Sequence, residues 1–551
     1  MTLVCYCERE VAPMFHTMLA SSVLVFGLVL APAVAQPANG LAAGAAKLTI
    51  TPKGDAWIAG YEPNRRSDGT IGDLYAACIA VRASANDKPV AVVALDLIGL
   101  SNAVVNRIRA LVPELPPENL LVVCTHTHSG PDTIGLWGPT GKSGVDPEYM
   151  TFLTSRVADC VHQALSAMKP ASLKFASGVE VTGVSRNDRV PAILDTELCA
   201  MQAIDSDGKP IGTLINFACH PEIFHGHKMT ADFPMWLRNR VEQKAGGVAV
   251  YVNGALGGMV TADVHDAEDE AAWRREAERI GTTIADAALD ALEKARPVAS
   301  APVTVNRAVV RIPLGNERFQ QAADAGVLPS ETLSKEGVVT EVTHLSIGPA
   351  EFVGIPGEAL PDVGFLMKRL MKGSPKFVVG LCNDELGYIL SEENYGLKLY
   401  QYETSMSVGP QAEPLIKEAL RPMIAAFKPT PTLDGAPPDL STWAPADIFR
   451  VMPGSFRPEK AKGLTATILW HITGQGGGYW TMRIADQKLT IAPGEDPNPD
   501  TTIEMSAADF AAMASGKLDG MQAAMTGRLK VSGDLTRAML LGTLFGPTPK
   551  E

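Results

Sequence analysis

The chain has 551 residues, 46% hydrophobic and 20% charged, with a formal net charge of −13. That length allows two or three globular domains, and the acidic balance excludes a nucleic-acid binder, because nothing here would neutralise a run of phosphates. It also argues against electrostatic adhesion to anionic lipid, so any membrane contact would be peripheral.

Residues 1–35 read as a secretory signal peptide. An apolar run from Thr17 through Leu30 leads to Ala33-Val34-Ala35, a small-residue cleavage site before Gln36. The run is too short for a membrane span, so the expectation is a mature protein that is secreted or periplasmic. Six of the eight cysteines follow that point. Cys78, Cys124, Cys160, Cys199, Cys219 and Cys382 stand singly in apolar surroundings, which predicts buried free thiols rather than a disulfide framework.

From 46 to 427, strand-like runs at 90–97, 119–124, 212–218, 248–252, 344–347 and 377–381 alternate with helical stretches at 150–168, 268–295 and 359–372. The alternation predicts layered α/β architecture. Residues 428–445 are proline-rich and read as a linker. Residues 446–547 follow as an α+β module.

Four segments of the first domain carry the chemistry. Thr125-His126-Thr127-His128-Ser129-Gly130-Pro131 ends an apolar run in two histidines spaced i, i+2, which a strand would place on one face, ready for one divalent cation. His220 ends another apolar run and is held extended by Pro221. Glu358 follows a Pro-Gly turn at the expected start of the 359–372 helix, and Tyr388 follows the 377–381 strand. Singly, each residue has a structural explanation; Glu358 could simply complement the helix dipole.

In this order the segments resemble the neutral/alkaline ceramidase family. The matching stretches are Thr125-His-Thr-His-Ser-Gly-Pro131, Asn216-Phe-Ala-Cys-His-Pro221, Gly357-Glu358, Gly387-Tyr-Ile389 and Tyr402-Glu-Thr-Ser405. The resemblance implies one zinc held by His126, His220, Glu358 and Tyr388, with His128 and Tyr402 contacting the substrate carbonyl or oxyanion and Arg186 as a looser active-site match. It departs from the family at one loop. Where ceramidases carry a nucleophilic serine, the ungapped alignment of Ala255-Leu-Gly-Gly-Met-Val-Thr-Ala-Asp263 gives Val260. Thr261 lies one residue on but is stiffened by β-branching, so attack by zinc-activated water is expected, with Asp263 or Asp232 as candidate proton acceptors.

The last module resembles the sterol-carrier-protein lipid-transfer family, most closely at Met521-Gln-Ala-Ala-Met-Thr-Gly-Arg-Leu-Lys-Val-Ser-Gly533. Met505, Met513, Met521, Met525 and Met539 would suit an adaptable apolar cavity. The expected fold is thus a layered α/β zinc hydrolase domain followed by an α+β sterol-carrier-like domain. The expected function is a secreted, zinc-dependent amidohydrolase cleaving an N-acylated, ceramide-like lipid or another hydrophobic amide. The alternatives are a zinc esterase and a non-catalytic lipid-binding protein. An alkyl sulfatase with a similar tail would need His-x-His-x-Asp-His; Gly130 and Pro131 exclude it.

Overall fold

In a computed structural model of the chain, the described residues are 40–328, 333–334, 337–428, 444–474, 476–514, 518 and 520–545. The expected signal peptide and nearly all of the expected linker lie outside them. No helix among the described residues is long and apolar enough to cross a membrane.

Three sheets form the frame of the larger part. The first runs Leu120–Cys124, Val90–Leu95, Tyr75–Arg82, Ala42–Thr49, Lys169–Pro170, and the second Val248–Asn253, Pro210–Phe217, Glu197–Ile204, Ser172–Glu180. The third runs Val303–Ile312, Gly337–Ile347, Ala350–Gly354, Lys376–Val379. Strand alternation assigns side chains to layers: Ala76, Cys78 and Ala80 face helices Asn102–Ala110 and Pro147–Ser166, while Ala77, Ile79 and Val81 pack against the second and third sheets. Helices Phe233–Ala245 and Glu270–Lys294 cover the outer face of the second sheet, and Pro361–Leu370 and Ala412–Ala426 that of the third. Sheets buried on both faces explain why their strands read as unbroken apolar runs. All six cysteines are buried free thiols, as expected.

The C-terminal residues form their own sheet, ordered Lys488–Pro493, Gly478–Ala485, Ala466–Thr473, Thr501–Ser506, Leu529–Gly533. Its core holds Trp470, Trp480, Met482, Met505 and Phe510. Strand Lys488–Pro493 escaped the sequence reading because its side chains are mostly half-buried or exposed. The side chains of Met521, Met525 and Met539 lie outside the described residues.

Candidate metal centre and its cavity

Within the three frame sheets, three strand pairs are parallel: Val90–Leu95 with Leu120–Cys124, Pro210–Phe217 with Val248–Asn253, and Ala350–Gly354 with Lys376–Val379. Chain leaving the carboxyl ends of parallel strands is free of ladder constraints, which is where α/β folds place their ligands. His126 and His128, then His220, Glu358 and Tyr388, all lie just beyond these ends.

The placement of the histidine pair on a strand is corrected. Leu120–Cys124 ends before it, and His126 has φ +70°. Such a conformation costs about 1–3 kcal/mol and persists only where surrounding bonds impose it. Here Thr125 N donates to Leu95 O at 2.8 Å, His126 N to Leu97 O at 2.9 Å, and Asn253 Nδ2 to Thr125 O at 3.0 Å. The loop geometry still gathers the rings: His126, His128 and His220 pack edge to face with centroids 5.0 to 5.6 Å apart. One potential ligand nitrogen from each lies within 4.8 Å of the others.

Glu358 is corrected as well. It belongs to a two-residue strand, Glu358–Ala359, that pairs in parallel with Tyr388–Ile389, and the helix begins only at Pro361. A Cβ on Gly357, which has φ +153°, would stand 2.5 Å from Gly387 O, so glycine is what lets these two segments meet. The register sets Glu358 beside Tyr388, whose hydroxyl is 4.0 Å from Met259 Sδ.

Hydrogen bonding fixes what the cluster can do. His126 Nδ1 is 2.7 Å from Ile98 O and His220 Nδ1 is 2.9 Å from Val260 O. Carbonyls only accept, so both Nδ1 atoms carry hydrogen and both Nε2 atoms turn toward Glu358 Oε2, at 3.4 and 3.0 Å. Two lone pairs facing a carboxylate require a cation. Burial opposes protonation of His220, yet Glu222 and Glu358 raise its pKa to about 9. Burial alone would raise Glu358, but His126 and His220 hold it well below the usual carboxylate range. A divalent ion answers the same electrostatic demand, and the nitrogen and oxygen donors fit one.

His128 differs from the other two. Among the described residues neither of its ring nitrogens has a hydrogen-bond partner, and Nδ1 is 3.6 Å from Glu222 Oε2. Burial and the neighbouring His126 and His220 rings push its pKa well below the ordinary value, so it is neutral near pH 7. Its main chain is clamped by Arg65 Nη2 to His128 O at 2.5 Å.

His126, His128 and Glu358 line a cavity of about 110 Å³ whose walls include Ile134, Trp137, Phe319, Leu328, Met406 and Val408. Tyr388 and Tyr402 line it too, Tyr402 reaching the surface at 52% exposure. The other expected site residues lie elsewhere. Arg186 donates to Asp188 Oδ1 at 2.8 Å and Ala262 O at 2.6 Å, and does not line the cavity. Thr261 supports the site through backbone, bridging His220 and pairing with Arg186. Asp263 stands near Arg186 and His265, and the buried Asp232 accepts from Ile223, Phe224 and Phe233. Sequence reasoning missed Glu222, Met259 and Tyr61, whose ring packs edge to face on His128 with centroids 5.3 Å apart. Only Glu222 left a signal, since His220-Pro-Glu222 repeats the i, i+2 spacing of His126 and His128.

Comparison with known proteins follows this division. Residues 453–546 match the family model described as the SCP-2 sterol transfer family. The neutral ceramidase from Pseudomonas aeruginosa has a similar structure, with a TM-score of 0.60 at 16% identity over 84% of this chain and 90% of that one. At that identity the likeness is one of fold. Hydroxysteroid dehydrogenase-like protein 2 from Bos taurus is 31% identical over 110 residues, 20% of this chain and 26% of that protein. Sterol carrier protein 2 from Homo sapiens is 34% identical over 73 residues, 13% of each chain. The chain therefore spans between 13% and 31% of the length of these curated relatives. It is a mixed α/β protein that joins a ceramidase-like fold to a sterol-carrier-like module.

Proposed function

We propose that this protein is a zinc-dependent amidohydrolase that cleaves the amide bond of an N-acylated lipid or a similarly hydrophobic amide. The observation that carries this reading is the three-histidine, one-glutamate cluster, three of whose members, His126, His128 and Glu358, line a largely apolar cavity. His126, His220 and Glu358, with Tyr388, would hold the zinc. When bound, the ion supplies Lewis acidity and an acidified water at neutral pH.

The remaining chemistry falls to the chain. Glu222 beside Nδ1 favours the Nδ1–H tautomer of His128, which leaves Nε2 to take a proton as water adds to the acyl carbon. The C–O bond forms, the C–N bond breaks, and His128 Nε2 returns the proton to the departing amine. The Tyr402 hydroxyl is available to donate to the developing oxyanion. No side-chain nucleophile is needed, consistent with Val260 being fully buried where the related loop carries serine. The cavity walls would hold the chain next to the scissile bond, and the sterol-carrier-like module would capture the lipid. A signal peptide over residues 1–35 would export the protein to the periplasm or medium.

The test is release of fatty acid from a panel of N-acyl amides by the metal-loaded protein, with zinc content measured in parallel. His126→Ala and His220→Ala should lose zinc and turnover together; retention of full zinc in both would overturn the ligand assignment. Faster cleavage of matched esters would make the protein an esterase. The SCP-2 match favours a second reading, a lipid-binding protein without turnover, which predicts tight lipid binding and no hydrolysis of any member of the panel.

A further inference from the structure

Beside the cavity lies a second recess of opposite character. Arg189, Arg318, Lys398, Gln401 and Ser405 line it with Tyr402, and among the described residues no carboxylate does. The whole chain carries a formal net charge of −13, so three cations gathered at one place run against its composition. Like charges held together favour an anion among them.

The local bonding keeps these cations available. Arg318 and Lys398 are exposed, and among the described residues neither side chain has a hydrogen-bond or ion-pair partner. Arg189 is the anchored member: its Nε donates to Oε1 of the fully buried Glu403 at 2.7 Å. One carboxylate against three cations leaves the recess with surplus positive charge.

The recess adjoins the cavity that holds the histidines. Tyr402 lines both, and Arg318 in the recess precedes Phe319 in the cavity wall. Asn316 Nδ2 donates to Ser405 O and Ser407 O at 2.9 Å, tying the start of helix Glu317–Asp324 to the end of helix Gln401–Ser405, which carries Tyr402. The cations are thereby held at the mouth. Attraction to a membrane surface takes clusters of about four to eight basic residues; three in a recess suit one small anion.

We propose that this recess is an anion subsite for a carboxylate on the amine half of the substrate, so that N-acylated amino acids are preferred over neutral amides. With the acyl chain along the apolar walls and the amide at the histidine cluster, the amine half leaves past Tyr402 toward Arg318 and Lys398. Arginine offers a carboxylate a planar fork of donors, and lysine a point charge. The inference rests on the hydrolase reading for its substrate class, but not for binding.

The experiment measures calorimetric binding to the full metal-loaded chain. The ligands are ketone isosteres of N-dodecanoyl glycine, β-alanine and 4-aminobutyrate, each paired with its neutral primary amide. A methylene replaces the amide nitrogen, so none can be hydrolysed; hydrolysis of the parent amides is followed separately. At least one acid should bind about fivefold tighter than its neutral partner, and that ratio should fall toward unity in about 0.5 M sodium chloride. Arg318→Gln and Lys398→Gln should each lower the ratio and together bring it near unity, while Lys398→Arg should retain it. An unchanged ratio in the double variant, equal loss on acid and neutral ligand, or no preference in the parent chain overturns the proposal. Pelleting with phosphatidylglycerol–phosphatidylcholine vesicles that requires Arg318 and Lys398, without preference among the soluble acids, would assign the recess to a lipid surface and overturns it too. Preference in binding without hydrolysis of any amide would uphold the subsite while refuting the hydrolase reading; hydrolysis without preference would do the reverse.

Discussion

Removing the metal should give the protein a stability that falls with rising pH, and His220 sets the size of the effect. In the metal-free fold its pKa is raised to about 9 from an ordinary 6.5. At ~1.4 kcal/mol per pH unit the difference corresponds to about 3 kcal/mol. Because the folded value is the higher one, this stabilisation is fully present below pH 6.5 and is lost as pH rises through 9. Glu358 is depressed instead, so its share is present above the ordinary carboxylate value of 4.5 and is lost as pH falls. Both shifts describe one buried interaction and do not add. The metal-free chain should therefore be most stable between roughly pH 4.5 and 6.5. The proposed zinc would compete with the proton for His220 Nε2, so its stabilisation should grow over the same range in which the metal-free fold weakens. Urea unfolding of chelated and zinc-loaded protein at pH 6 and pH 9, each compared with His220→Asn, measures the effect. The reasoning is refuted if the chelated parent and chelated His220→Asn show the same pH slope, since His220 would then not carry the linkage.

Other perturbations separate the roles of individual residues. Thr261→Val should keep turnover within about threefold of the parent, as measured by steady-state kinetics, because Thr261 serves the site through its backbone; loss comparable to His220→Ala with zinc retained would make its hydroxyl the nucleophile. Gly357→Ala should lower zinc content and activity together, since the added Cβ would meet Gly387 O at 2.5 Å and part Glu358 from Tyr388. A chain ending at Lys428 should retain zinc and cleave short, soluble amides at near-parental rates. It should lose efficiency progressively with acyl length, at up to ~0.8 kcal/mol per methylene no longer captured; equal loss on short and long chains would assign the C-terminal module to the active site itself.

Much of the fold was legible because its strands are buried on both faces. Runs such as Val90–Leu95 and 248–252 are apolar without interruption. Helix Glu270–Lys294 was visible from its periodicity, with Ile280, Ile284, Ala288 and Leu292 on the inner face. Boundaries drifted where tertiary bonds override local pattern. Glu358 and Ala359 have helix-compatible neighbours, yet the pairing with Tyr388 and Ile389 draws them into a strand. The long strand Gly337–Ile347 was recognised only over its last four residues, because Thr340, Glu341 and Thr343 are buried polar side chains that break the apolar pattern.

The site was legible in its residue types but not in its geometry. Two histidines at i, i+2 announced a cluster, although the strand face invoked for them does not exist; a left-handed His126 does the work in its place. The partners that decide the chemistry are backbone carbonyls, Ile98 O and Val260 O, and a carbonyl leaves no trace in a sequence. Those two acceptors fix both tautomers, and with them the direction of both Nε2 lone pairs. Ile98 sits just past Val90–Leu95 while His126 sits just past its parallel partner Leu120–Cys124, whereas Val260 opens a separate short strand, Val260–Ala262, that pairs with Ser185–Asn187. The orientation of the His126 ring is therefore tied to the spacing between adjacent strands, a rigid quantity near 4.8 Å, and that of His220 to this short pairing. A substitution that leaves every proposed ligand in place but shifts one of these strand ends would rotate an imidazole away from Glu358, so metal affinity here depends on sheet packing as much as on the ligands themselves.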